Sequence, residues 1–221
     1  MHRCGGSLIN SQWVLLPAHC MDVDQNLKSW KVCFGLDSAE TCVGTDALIR
    51  HENYNYQQSN DHSHDIALLH LSEEVTNMQP ICLPASEEFL SPGELCYWAG
   101  WAATGGMKSA TSKARFQTPV PIMPFEVCSQ PKFWESHLTT SMLCTGFNLP
   151  EKLKSSCRSE AEGALICKST KDTAWELQGI TNFGPKNCLV DRKPQVFTRV
   201  SAYNDWIADQ IKKYIYEKTI A

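Results

Sequence analysis

Cysteine and histidine are the residues with most chemistry to offer in this chain, which carries eleven of the first and seven of the second. Thiols that hold a metal usually stand in close CxxC pairs. No such pair occurs, and the cysteines are spread from Cys4 to Cys188. At this density they read as disulfides, which persist in oxidising compartments. The count is odd, so one thiol lacks a partner within the chain. His62, His64 and His70 crowd around Asp65. No ligand set emerges from them, because His70 lies too far beyond Asp65, and neither a metal nor a cofactor is expected. His19 stands beside Cys20. An imidazole titrates near neutrality and is suited to proton transfer. An isolated histidine in such a setting, however, reads first as packed or surface-exposed.

The composition bounds what must position these groups. The chain has 221 residues, 43% of them hydrophobic and 20% charged, the values of a packed globular protein. Its length suits one large domain or two small ones. Net charge is −4, and no like-charge block suggests a nucleic-acid-binding tail. Apolar runs such as Trp13–Leu16 and Ile66–Leu69 are far shorter than the roughly 18 residues a membrane helix requires. Short strand-like segments recur between Gly, Pro, Asn and Ser clusters: 7–9, 13–16, 30–34, 47–50, 66–71, 95–99, 163–167, 175–181 and 195–200. That spacing predicts an all-β sandwich or barrel. A composition break near Gly105 suggests two halves. From Tyr203, apolar residues recur every three or four positions through Ile215, which predicts a C-terminal amphipathic helix with Ser201 as its N-cap.

Three segments carry a more specific signal. The first is Cys4-Gly5-Gly6-Ser7-Leu8-Ile9 followed by Trp13 through Ala18-His19-Cys20. The second is Asp65-Ile66-Ala67-Leu68-Leu69. The third runs from Cys157-Arg158-Ser159-Glu160-Ala161-Glu162-Gly163 to Gly179-Ile180-Thr181-Asn182-Phe183-Gly184 and Val196-Phe197-Thr198-Arg199-Val200. Together, in this order, they resemble the trypsin-like serine proteases of the chymotrypsin family. The resemblance implies a double six-stranded β-barrel, its first barrel N-terminally truncated, closed by a C-terminal helix. The corresponding divisions are 1–98, 99–200 and 201–217. His19 and Asp65 match the general base and the carboxylate that orients it.

The nucleophile position departs from the pattern. The family carries Gly-Asp-Ser-Gly-Gly-Pro, and here Ala161 takes the place of the serine. A methyl group neither attacks a carbonyl nor exchanges a proton. Ser159 replaces the glycine whose N–H helps form the oxyanion hole, and Glu162 replaces the next glycine. Ser155 stands at the floor of the specificity pocket, where Asp would select Lys or Arg. Gln195 stands where a glycine would line that pocket. Asn182-Phe183-Gly184 replaces the Ser-Trp-Gly strand that pairs with substrate, and Gly184 still permits a peptide to approach. The processed Ile-Val-Gly-Gly terminus of active members has no counterpart, nor does a secretory leader, so a truncated N-terminus is expected.

The resemblance also implies the pairs Cys4–Cys20, Cys96–Cys167, Cys128–Cys144 and Cys157–Cys188. Cys33 and Cys42, flanking a short loop with Gly35, are expected to form a local bridge. Cys82 is left unpaired; in two-chain relatives this position bonds a segment N-terminal to the protease domain. The expectation is a secreted, catalytically inactive homologue acting as a binding or regulatory module with an extracellular protein or peptide partner. No nucleic acid and no membrane span are expected. Two alternatives stay open: a weak serine-type endopeptidase, and a truncated product without function.

Overall fold

A computed structural model describes residues 4–22, 24, 26–35, 41–55, 61–86, 90–103, 113–146, 162–169, 174–185 and 193–220. Eleven strands are described: β1 Ser7–Leu8, β2 Trp13–Leu16, β3 Lys31–Phe34, β4 Thr41–Arg50, β5 Ala67–Leu71, β6 Leu95–Ala103, β7 Lys113–Met123, β8 Met142–Thr145, β9 Glu162–Lys168, β10 Trp175–Phe183 and β11 Gln195–Arg199. A one-turn helix α1 spans Phe125–Cys128, and the C-terminal helix α2 spans Asn204–Ile220.

The strands form two sheets. The first has five strands in the order β1-β2-β5-β4-β3, and the second closes as a barrel, β10-β11-β8-β7-β6-β9. The expected pair of barrels is thus one half-barrel and one closed barrel. β6 belongs wholly to the closed barrel, so the passage between sheets precedes the 98/99 division.

The apolar runs explain the centre of the molecule. β2 and β5 are buried along their whole lengths, which requires apolar residues on both faces. The two-residue alternation of a strand then divides them. Val14, Leu16, Ala67, Leu69 and Leu71 enter the core of the first sheet. Trp13, Leu15, Ile66 and Leu68 pack with Leu177 and Ile180 of the second barrel and with Val200, Tyr203 and Ile207 of the C-terminal region. One strand pair therefore binds both sheets and α2 together.

Two strands escaped the sequence reading. β7 contains Pro119 and Pro121, which argue against a central strand. The Ile122 N–H donates to the Glu94 carbonyl, so alternation turns the two proline nitrogens away from β6. On that side β7 meets β8 only at Ile122 and Met123, so no ladder bond is lost. β8 has only four residues and pairs with β11. The helix start is corrected too. A 3-10 turn, Val200–Tyr203, comes first, and buried Ser201 lies inside it instead of capping α2. Asn204 begins the α-helix and donates to the Pro84 carbonyl at 2.6 Å.

Among the described residues, four disulfides join Cys4–Cys20, Cys33–Cys42, Cys96–Cys167 and Cys128–Cys144. Cys33 and Cys42 face each other across the β3–β4 pair, and Gly35, with φ 104°, follows β3 in the left-handed region that glycine tolerates. Cys157–Cys188 lies outside the described residues. The Cys82 thiol is free and exposed.

The Cys96–Cys167 bridge ties β6 to β9 across a sequence separation of 71. Loop-closure entropy assigns a bridge of that span about 4 kcal/mol. Replacing both residues together, Cys96→Ala with Cys167→Ala, is expected to lower the unfolding free energy by about that amount in urea titration. An unchanged urea midpoint would contradict it.

Candidate active site

His19 and Asp65 come together because their strands do. Leu16 pairs with Ala67 across the antiparallel β2–β5 ladder. Pro17 leaves β2 in extended geometry and leads into the 3-10 turn Ala18–Met21, which carries His19. Asp65 immediately precedes Ile66 and β5. The two residues, 46 apart in sequence, thus project from neighbouring strand ends.

Two hydrogen bonds join them. The His19 backbone N–H donates to Asp65 Oδ1 at 2.9 Å, and His19 Nδ1 lies 2.6 Å from Asp65 Oδ2. An ionised carboxylate only accepts, so the Nδ1 proton points at Asp65 and Nε2 keeps the imidazole lone pair. That is the tautomer a general base requires. Asp65 is 2% exposed and the His19 side chain 32%. The carboxylate is therefore withdrawn from solvent while the imidazole reaches it.

A second layer fixes the aspartate. Thr198 Oγ1 donates to the Asp65 backbone carbonyl at 3.0 Å. The Asn182 amide donates to Thr198 Oγ1 at 3.1 Å and to the His62 carbonyl at 2.9 Å. β10 and β11 of the second barrel thereby hold a loop of the first sheet. His64, with φ 56°, turns the chain just before Asp65.

The nucleophile loop is only partly described. Ser155, Ser159 and Ala161 lie outside the described residues. β9 begins immediately afterwards, with Glu162 paired to Trp101 and Gly163 to Gly100. A Cβ on Gly163 would come within 2.2 Å of the Ala99 carbonyl oxygen. Thr181 Oγ1 also accepts from the Gly163 N–H and donates to its carbonyl. The exit from the loop is pinned to the barrel wall.

Of the predicted pocket residues, Asn182, Phe183, Gly184 and Gln195 come together where β10 pairs with β11. A bulge between Thr181 and Phe183 releases Asn182 from the ladder, which frees its side chain for the bonds above. Gln195 Nε2 donates to the Phe183 carbonyl at 2.9 Å. Its amide lies directly against Gly184, where a Cβ would meet Gln195 Oε1 at 2.1 Å. Gln195 therefore fills the space that a glycine would leave behind Gly184.

An aromatic wall also emerges that the sequence reading missed. The Phe183 ring lies 4.3 Å from His62 and 4.9 Å, edge on, from Trp134. Lys193 covers the other ring at 4.6 Å, and Trp134 Nε1 donates to the Pro194 carbonyl. Burial, more than any neighbouring charge, lowers the His62 pKa from its ordinary value, while Asp65 acts in the opposite sense. His62 was noticed only as part of a histidine cluster. The three histidines in fact part company: His62 meets Phe183, His64 stacks on His51, and His70 hydrogen-bonds Asp46. Among the described residues no cluster of three or more could hold a metal ion. A separate groove of about 490 Å³ runs between Gly5–Ser7 and the β6–β7–β9 wall and includes neither His19 nor Asp65.

The fold agrees with an independent comparison, in which the Trypsin family model matches residues 1–207. The chain belongs to the trypsin family. One curated relative, transmembrane protease serine 11E of Mus musculus, is 34% identical over 212 residues. The match covers 94% of this chain and 48% of that protein, so the chain spans about half the length of the relative. No helix among the described residues is long and apolar enough to cross a membrane.

The obstruction expected of Gln195 has a measurable consequence. Gln195→Gly should open the slot, and acetyl-Ala-Ala-Phe-amide should bind the variant at least about tenfold more tightly, about 1.4 kcal/mol. Chemical-shift titration is the measurement. Equal affinity for both proteins would show that Gln195 does not obstruct the slot.

Proposed function

We propose that this trypsin-family domain works without peptidase chemistry, as an extracellular binding or regulatory module. The observation that carries the reading is Ala161 in the sequence position where the family pattern has serine, in a chain whose His19–Asp65 pair keeps its hydrogen bonding. A general base without a nucleophile cannot begin acyl transfer. Loss of one triad member leaves roughly 10³- to 10⁴-fold catalysis over water, and that residue comes from the oxyanion hole and binding. Ser159 and Glu162 stand where the family pattern has the glycines of that hole, and Gln195 lies against Gly184.

The binding role draws support from what the cleft keeps. The wall of Phe183, His62 and Trp134 beside Gly184 is suited to an extended peptide. Secretion is supported by four disulfides. The exposed Cys82 thiol is proposed as the attachment point of a further segment. It borders the second barrel, where its carbonyl accepts from the Leu177 N–H at 2.9 Å.

The retained His19–Asp65 geometry favours one rival, a residual serine-type endopeptidase. Assaying the unsubstituted protein against a peptide-ester panel separates the readings. No hydrolysis is expected, and turnover in the ordinary enzymatic range of about 1–10³ s⁻¹ would contradict the proposal. Ala161→Ser is also expected to yield no measurable hydrolysis, because Ser159, Glu162 and Gln195 are unchanged. Turnover there would show that those three changes weigh less than proposed.

A further inference from the structure

Behind Asp65 lies a group of rings that the proton chemistry of the cleft does not use. His51 follows the last residue of β4 and is 8% exposed. Its ring stacks on His64, with centroids 4.5 Å apart and planes inclined by 16°. Tyr203 stands edge on to both rings, and its hydroxyl lies 3.2 Å from His64 Nδ1. Trp206, in the first turn of α2, packs against His51 at 5.0 Å. Backbone bonds tie the stack to the catalytic loop. The His51 N–H donates to the Ile66 carbonyl, and the Ile66 N–H donates to the His64 carbonyl.

The arrangement requires His51 Nδ1 to carry no proton. His51 Nδ1 accepts the Asn53 N–H at 3.2 Å, which a proton on that nitrogen would prevent. Two stacked imidazolium ions at this separation would repel each other at short range. The surrounding carboxylates are committed elsewhere. Glu52, beside His51, accepts from Trp206 Nε1 at 3.0 Å and stays 4.0 Å from His51 Nδ1. Asp61 accepts the Ser63 N–H, and Asp65 is bonded to His19. Arg199, from β11, adds a positive charge facing Tyr203.

We propose that the His51–His64 stack is an acid-released latch, in which proton uptake parts the rings and frees the start of α2 from the loop carrying Asp65. Tyr203 and Ile207 belong to the core that joins the two sheets, so release at this point loosens the seam beneath the His19–Asp65 pair.

Burial lowers the His51 pKa from its ordinary 6.5; Glu52 opposes this, and His64 adds to it. The folded value is the depressed one, so the unfolded chain takes up the proton first. The latch therefore contributes fully above about pH 6.5, and its contribution is lost as pH falls from there toward the folded value.

His51→Phe keeps a stacking ring and removes the charge. Between about pH 7.5 and pH 5, the Tm of the unsubstituted protein should fall by about 3 °C or more beyond the fall in His51→Phe. Hydrogen exchange, corrected for intrinsic rates, should show acid loosening concentrated in residues 200–210 and 64–66, and this pattern should vanish in the variant. If His51→Phe does not fold, His51→Gln serves instead, since it removes the titrating ring while its amide oxygen can still accept the Asn53 N–H. Equal Tm losses in the two proteins, or acid loosening spread evenly over both sheets, would overturn the latch.

Discussion

The structure depends on one antiparallel pair, β2 with β5, being apolar on both faces. Each strand is continuously buried because one face serves the core of the first sheet and the other serves the seam with the second barrel and α2. This constraint fixes register, since a slip of one residue would exchange the two faces. Fixed register in turn fixes the distance between the strand ends, where His19 and Asp65 stand. Hydrophobic packing of the two strands thus places the catalytic-type pair, and the hydrogen bonds between its members orient it.

The electrostatics follow from that placement. Asp65 is withdrawn from water and satisfied by the His19 backbone and ring, with Thr198 and Asn182 anchoring its main chain. Its loop is shared between both sheets, so changes in the seam reach it directly. On the proposed reading Ala161 supplies no reacting atom. Gln195 fills the space against Gly184 with its own amide. The His19–Asp65 pair keeps the geometry of the orienting half of a peptidase site.

Much of this was legible because the decisive segments are local. Trp13–Leu16 and Ile66–Leu71 read as short buried strands, and β5 begins at Ala67, one residue inside that estimate. The all-β fold with a closing helix followed from strand spacing and from the periodicity after Tyr203. The pairing of His19 with Asp65 came from motif order, since nothing in composition brings two such distant residues together. Features that depend on tertiary partners were hidden. Pro119 and Pro121 disguised β7, whose open side only the sheet reveals. The 3-10 turn before α2 displaced Ser201 from the capping position. The roles of Trp134 and of the His51–His64 stack arise from contacts between segments far apart in sequence.

The central claim is that the cleft presents an oriented base with no nucleophile for it to activate. Intact mass after incubation with a fluorophosphonate tests this most directly, since the reagent marks a serine activated by its histidine. The account predicts an unchanged mass. Stoichiometric gain of one phosphonyl group on any serine would contradict it.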